Sequence, residues 1–99
     1  MSYRLTLRPE AESDLAEAFE WYEQRRPGLG ESLLLSVEAT LLAIQETPLL
    51  FPAVHRNIRR ALTRRFPFGV FYVLEGEAVV VVAVFHASRN PKGWRGRGQ

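Results

Sequence analysis

Eight consecutive residues, Ala78 to Phe85, carry neither charge nor turn former, and Val79 to Val82 are valines in succession. Successive side chains of a strand point to opposite faces, so a strand with one wet face alternates apolar and polar residues. A run that does not alternate predicts a strand covered on both faces, and therefore inside a sheet. It is far short of the ~20 apolar residues that span a bilayer. The chain must build a sheet around this segment from 99 residues, a length that supports one domain with one core.

The flanking segments supply the other strands. Phe68 to Leu74 is rich in aromatic and β-branched residues, and Glu75-Gly76-Glu77 is a tight hairpin connection into the valine run. In Asn57 to Phe66, Ile58, Leu62 and Phe66 share one parity, and Arg59, Ala61, Thr63 and Arg65 share the other. Pro67 marks a bulge or strand edge. Tyr3 to Arg8 alternates as a short half-buried strand.

Two helices lie between. Pro9 fits a first helical position, and Glu10, Glu12 and Asp14 make an acidic first turn that suits the helix dipole. Ala11, Leu15, Ala18, Phe19 and Tyr22 form one apolar stripe. Pro27-Gly28 stops this helix, and a second runs from about Leu29 to Glu46 on Leu33, Val37, Leu41 and Ile44, ending before Thr47-Pro48. So short a turn predicts an antiparallel hairpin. Leu50 or Phe51 is expected to plug the core beneath the apolar loop. The reading is α+β in two layers, a helical hairpin packed on an antiparallel-dominated sheet, in the order β-α-α-β-β-β. It is a single domain over residues 1–99, with residues 90–99 a basic surface tail whose last residues fray.

Composition narrows the function. Cysteine is absent, which excludes disulfide scaffolds, thiol catalysis and Cys-based zinc sites. His55 and His86 are too far apart for metal-ligand spacing, and no phosphate loop, dinucleotide motif or nucleophile elbow is present. No metal or organic cofactor is implied. No signal core follows the N-terminus, so a cytoplasmic location is expected, with no membrane partner. Residues 1–54 hold four basic and nine acidic side chains, a balance of −5, and residues 55–99 hold nine and two, a balance of +7. Twelve of the thirteen basic residues are arginine, whose planar fork pairs with phosphate or carboxylate, so the second half expects an anionic partner.

Four stretches carry a resemblance. They are Glu12-x-Asp14-Leu15-x-x-Ala18-x-x-Trp21-Tyr22-Glu23 followed by Pro27-Gly28-Leu29-Gly30; Pro48-x-x-Phe51-Pro52; Arg59-Arg60-x-Leu62-x-x-Arg65-Phe66-Pro67-Phe68-x-Val70-x-Tyr72; and Val82-Ala83-Val84-Phe85-His86-x-x-Arg89-x-Pro91-x-x-Trp94. In this order and spacing the chain resembles the RelE/ParE superfamily of type II toxins. The Trp-Tyr-Glu and Arg-Phe-Pro-Phe wording is closer to the ParE-like, plasmid-stabilisation branch. The resemblance implies a helical hairpin on an antiparallel sheet, a cognate antitoxin, and DNA gyrase (ParE-like) or the ribosome (RelE-like) as target. A gyrase-binding toxin is the first reading and a ribosome-dependent mRNA endonuclease the second. An Arg-rich nucleic-acid-binding module without toxic role is the third, and direct nucleic-acid contact stays open.

Cleaving RNA requires cations for the phosphorane and a route for protons. RelE-like sequences typically carry an arginine just before the Val-x-Tyr, where this chain has Gly69. The catalytic candidates are therefore His86, Arg89 and Arg65, an incomplete set, and a non-enzymatic toxin comes first. For target or antitoxin binding the candidates are Arg59, Arg60, Arg65, Arg89 and Trp94. If the helices cover the Leu62 face, Arg59 and Arg65 point to the open side. Trp94 either docks on the sheet or stays in a free tail.

Overall fold

Proline fixes φ and has no N–H to give a ladder, so Pro9 ends one element and starts the next. The computed structural model, which describes residues 3–98, has β1 at Arg4–Leu7 and α1 at Pro9–Arg25. Expectations that touch Met1, Ser2 or Gln99 lie outside the described residues. After Pro27 the chain re-enters a helix, α2, at Leu29–Glu46. Its first free N–H groups need acceptors. Gly28 and Gly30 donate theirs to the two oxygens of Glu23, each at 3.0 Å, so a carboxylate of α1 caps α2. Leu33, Val37 and Ile44 are fully buried, with Leu15, Ala18, Tyr22 and Leu41 packed half-buried around them.

Four more strands follow: β2 at Ala53–His55, β3 at Ile58–Leu62, β4 at Phe68–Glu75 and β5 at Ala78–His86. The sheet order is β1-β5-β4-β3-β2, with β1 parallel to β5 and every other pair antiparallel. The α+β reading holds, and β2 is an addition to it. Three residues are too few to show alternation. The strand expected to reach Phe66 stops at Leu62, because Arg65 turns the chain at φ 72 and Thr63 Oγ1 bonds the Phe66 carbonyl at 2.7 Å.

The valine run has a specific geometry. Phe71 faces Ala83 and Tyr72 faces Val81, so Val82 has no partner opposite and forms a β-bulge. The bulge shifts the parity by one. Val79, Val81 and Val84 enter the core under the helices, whereas Val82, Ala83 and Phe85 enter a second core on the other face with Ile58, Phe71, Val73 and Trp94.

That second core is closed by the C-terminal segment. Residues 90–98 contain a helical turn, α3, at Lys92–Arg95 and a 3-10 turn at Gly96–Gly98. Trp94 is 6% exposed and stacks on Phe71 with ring centroids 4.2 Å apart. Of the two positions expected for Trp94, it takes the docked one. A Cβ at Gly93 would lie 2.5 Å from the Phe85 ring, and one at Gly98 2.5 Å from Ile58 Cγ1. These glycines let the backbone lie directly on the sheet. In the apolar loop Phe51 packs on the core and Leu50 is 77% exposed, so of the two alternatives Phe51 is the plug.

Candidate functional site

Parity along β3 decides which arginines face where. Ala61 is buried under the helices and Ile58 in the second core, so Arg59 shares the helix side with Ala61, and Arg60 and Leu62 face away. The expected assignment is thus reversed: Leu62 lies on the side away from the helices, 59% exposed. It is Ala61, fully buried, that lies in the core under the helices. Arg59 Nη1 donates to the Phe51 carbonyl at 2.6 Å, which ties it to the loop after α2.

Arg60 crosses Gly69 of the neighbouring strand. A Cβ at Gly69 would stand 3.2 Å from Arg60 Cγ and Cδ, so the glycine makes room for that stem. Arg60, Gly69, His86, Arg89, Trp94 and Arg95 line a cavity of about 230 Å³ at one end of the sheet. The Arg89 guanidinium lies 4.0 Å from the Phe85 ring centroid. A guanidinium so close to an aromatic face is attracted by the ring quadrupole. Among the described residues, neither Arg60, Arg89 nor Arg95 enters an ion pair; the two pairs formed are Arg8–Glu75 and Arg97–Asp14.

His86 and Arg89 also line a cleft of about 350 Å³ beside α1, with Trp21 and Tyr22. The Ser88 N–H donates to His86 Nδ1 at 3.1 Å, so Nδ1 is the acceptor and Nε2 carries the proton. Arg65 is elsewhere. With Arg64, Leu35 and Leu62 it borders a groove of about 570 Å³ along α2. The structure therefore brings His86, Arg89, Arg60 and Trp94 together, and leaves Arg59 and Arg65 out of that group.

Three contributors were not among the expected site residues. Arg95 borders the cavity. Asp14 and Arg97 hold the segment that carries it. β1 pairs with β5 only as far as Val81, which leaves the edge beyond it bare. There the Val84 N–H donates to Asp14 Oδ2 at 3.1 Å, and Arg97 Nη1 donates to the Val82 carbonyl at 3.1 Å. Arg97 Nη1 also meets Asp14 Oδ2 at 2.6 Å, and Arg8 Nη1 donates to the Arg97 carbonyl at 2.6 Å. A side-chain ion pair thus stands in for the missing strand. Asp14 is legible in retrospect: it lies three residues after Ala11 and four before Ala18, on the apolar stripe.

Tyr72 belongs to the core. Its hydroxyl donates to the Pro48 carbonyl, and burial pushes its pKa up to about 12, partly opposed by the Arg59 charge. A phenol so placed keeps its proton at neutral pH and does not reach the open cavity. What remains on the cavity side is a set of guanidiniums suited to binding an anion, with one histidine at its edge.

A helical hairpin on one face of a five-stranded sheet is a fold this chain shares with solved toxin–antitoxin proteins. The chain superposes on the chromosomal ParDE toxin–antitoxin system of P. aeruginosa with a TM-score of 0.78, at 14% identity, over 88% of this chain and 98% of that one. The toxin–antitoxin complex RelBE2 of Mycobacterium tuberculosis gives 0.63 at 18% identity, over 87% and 99%. Free E. coli RelE, a double mutant, gives 0.53 at 16%, over 89% and 86%. Residues 5–91 match the family described as ParE toxin of type II toxin–antitoxin system, parDE, and the chain belongs to that family. It is 33% identical over 92 residues to Toxin ParE2 of M. tuberculosis, covering 92% of this chain and 88% of that protein.

Proposed function

We propose that this toxin inhibits bacterial growth by binding a protein target in the cytoplasm, DNA gyrase, and that a cognate antitoxin neutralises it. The observation that carries the reading is membership of the ParE family over residues 5–91. The cavity supports it. Gly69 supplies no side chain where RelE-like nucleases place a cation, and the Arg60 stem runs across that position instead. Glycine can neither donate a proton nor balance phosphate charge, and loss of one such group commonly costs about 10²–10³ in rate. The antitoxin reading draws on the −5/+7 charge split and on the two solved relatives that are toxin–antitoxin systems. No described helix is long and apolar enough to cross a membrane.

The endonuclease reading keeps one observation in its favour, since His86, Arg89 and Arg60 border a single cavity. Two assays on the purified toxin separate the readings. In gyrase supercoiling, inhibition is expected and should weaken in Arg89→Ala with the melting temperature unchanged. In ribosome-bound mRNA cleavage, little or no product is expected. Robust codon-linked cleavage abolished by His86→Ala would place the endonuclease first.

A further inference from the structure

α2 is apolar on two sides, and the sheet covers one. Leu33, Val37 and Ile44 are fully buried, yet Leu35 and Leu42, which the helical period turns to the opposite side, are 61% and 64% exposed. Exposed Ala39 lies between them, four residues after one and three before the other. A helix lying on a sheet needs a single apolar stripe. The excess is concentrated here. Among the described residues the other exposed large apolar side chains are Trp21, Leu49 and Leu50 just after α2, and Leu62, which borders the same groove as Leu35. A cluster of this kind marks an interaction surface.

We propose that this outer face of α2 is a self-association surface, which receives α2 of a second copy of the chain, the two helices running parallel about a twofold axis. Charge selects the occupant. On one flank of the Leu35–Leu42 seam stand Glu31 and Glu38, both exposed. On the other lies the groove that Ser36, Ala43, Arg64 and Arg65 border, where Ser36 Oγ donates to the Arg64 carbonyl at 2.5 Å. Among the described residues none of Glu31, Glu38, Arg64 and Arg65 forms an ion pair. The face thus has an acidic flank and a basic flank, each with its complement on the same molecule. An acidic or a basic partner would satisfy one flank and be repelled by the other. A second copy satisfies both.

The orientation follows from the same pattern. In a parallel pair each flank of one helix meets the opposite flank of the other, so Glu38 approaches Arg64 and Arg65 of the second copy. In an antiparallel pair like flanks meet, and Glu38 would face Glu38. Twofold symmetry makes each contact twice. Ala39, small and between the leucines, lets the helix axes approach to ~8–10 Å. The seam is short, because it ends at Glu46, whose charge meets its own copy in a parallel pair. Two helical turns cover much less than the ~800 Å² per partner of a stable interface, so the dimer is weak and reversible, with a dissociation constant of about 1–100 μM.

Sedimentation equilibrium of the full chain over a concentration series tests this. Reversible dimers are expected. Leu35→Gln and Leu42→Gln should each weaken association at least tenfold with the melting temperature unchanged, because neither side chain is in the core. Glu46→Gln should tighten it. The double variants Glu31→Arg/Glu38→Arg and Arg64→Glu/Arg65→Glu should each stay monomeric, and a mixture of the two should associate again. The chain has no cysteine, so introduced ones read the orientation directly. Under mild oxidation Leu35→Cys and Leu42→Cys should each cross-link to their own copy, and much faster than Glu10→Cys on α1. A chain that stays monomeric far above the micromolar range overturns the site. So does association that Leu35→Gln and Leu42→Gln leave intact, or cross-linking of Glu10→Cys at the same rate. Cross-links that join Leu35→Cys only to Leu42→Cys mean antiparallel helices and overturn it too.

Discussion

Tyr72 shows how much one buried hydroxyl settles. Its O–H donates to the Pro48 carbonyl, and the side chain is fully buried. Tyr72→Phe leaves that carbonyl without its donor and should cost about 1–3 kcal/mol at pH 7, read by urea denaturation. The pKa adds a signature. The folded value of about 12 lies above the ordinary 10.0, so the unfolded chain loses this proton first. Stability from this group is full below pH 10 and falls as pH rises from 10 towards 12. The wild type should therefore lose stability across that window more steeply than Tyr72→Phe. Asp14 and Arg97 matter for a different reason. Removing Asp14 leaves the buried Val84 N–H and the partly buried Arg97 without their acceptor, so Asp14→Ala should cost about 1–3 kcal/mol. With Trp21→Phe as background, Trp94 is the only indole left. Its emission should shift to the red in Asp14→Ala as the C-terminal segment loosens. An unshifted spectrum would mean that the stack on Phe71 holds the segment without the pair.

Element by element, the sequence is legible where periodicity and burial coincide. The helices follow from their stripes, because each turns one apolar face to a single sheet. Here the burial ranks the residues: Leu33 is fully enclosed and Leu41 only partly. Leu33→Ala should fall in the ~2–5 kcal/mol range of buried leucine truncations, and Leu41→Ala clearly below it. Equal losses in thermal melts would mean that the two sides of α2 are packed alike. The valine run was legible as doubly covered, but its cover was not. The helices were the only apolar layer visible in the pattern, and residues 90–99 show mostly glycine and positive charge, with Trp94 as the one large apolar side chain. Glycine reads as flexibility, yet Gly93 and Gly98 are small so that backbone can touch Phe85 and Ile58. The side assigned to Arg59 failed for a related reason. Parity separates two faces without saying which one the helices cover, and Leu62 is the larger apolar residue on the wrong side. Arg60, His86, Arg89 and Trp94 were among the candidates, but their meeting in one cavity could not be read, because it joins β3, β4, the end of β5 and α3.

For the molecule as a whole, the segregation of charge along the sequence becomes a segregation in space. The acidic residues are concentrated on the helices, while the cavity beyond the sheet is bordered by Arg60, Arg89 and Arg95. Association with an acidic partner should be fast at low ionic strength and slow markedly between ~50 and ~500 mM salt, as steering over a Debye length is lost. Stopped-flow mixing with the proposed cognate antitoxin measures this. Dissociation should change less, because apolar contacts around Leu62 are not screened. An association rate insensitive to salt would remove the charge split from the account of binding.

The strap over the second core also fixes an order of events. Every strand of the sheet is synthesised before Gly93, Trp94 and Arg97 exist. Until they arrive, Phe71, Val73, Val82 and Phe85 form one uncovered apolar face, and the β5 edge beyond Val81 is an open invitation to any extended chain nearby. The emerging toxin is therefore most adhesive just before its last turn closes. A nascent chain in that state is a natural client for chaperones, or for a partner already waiting beside the ribosome.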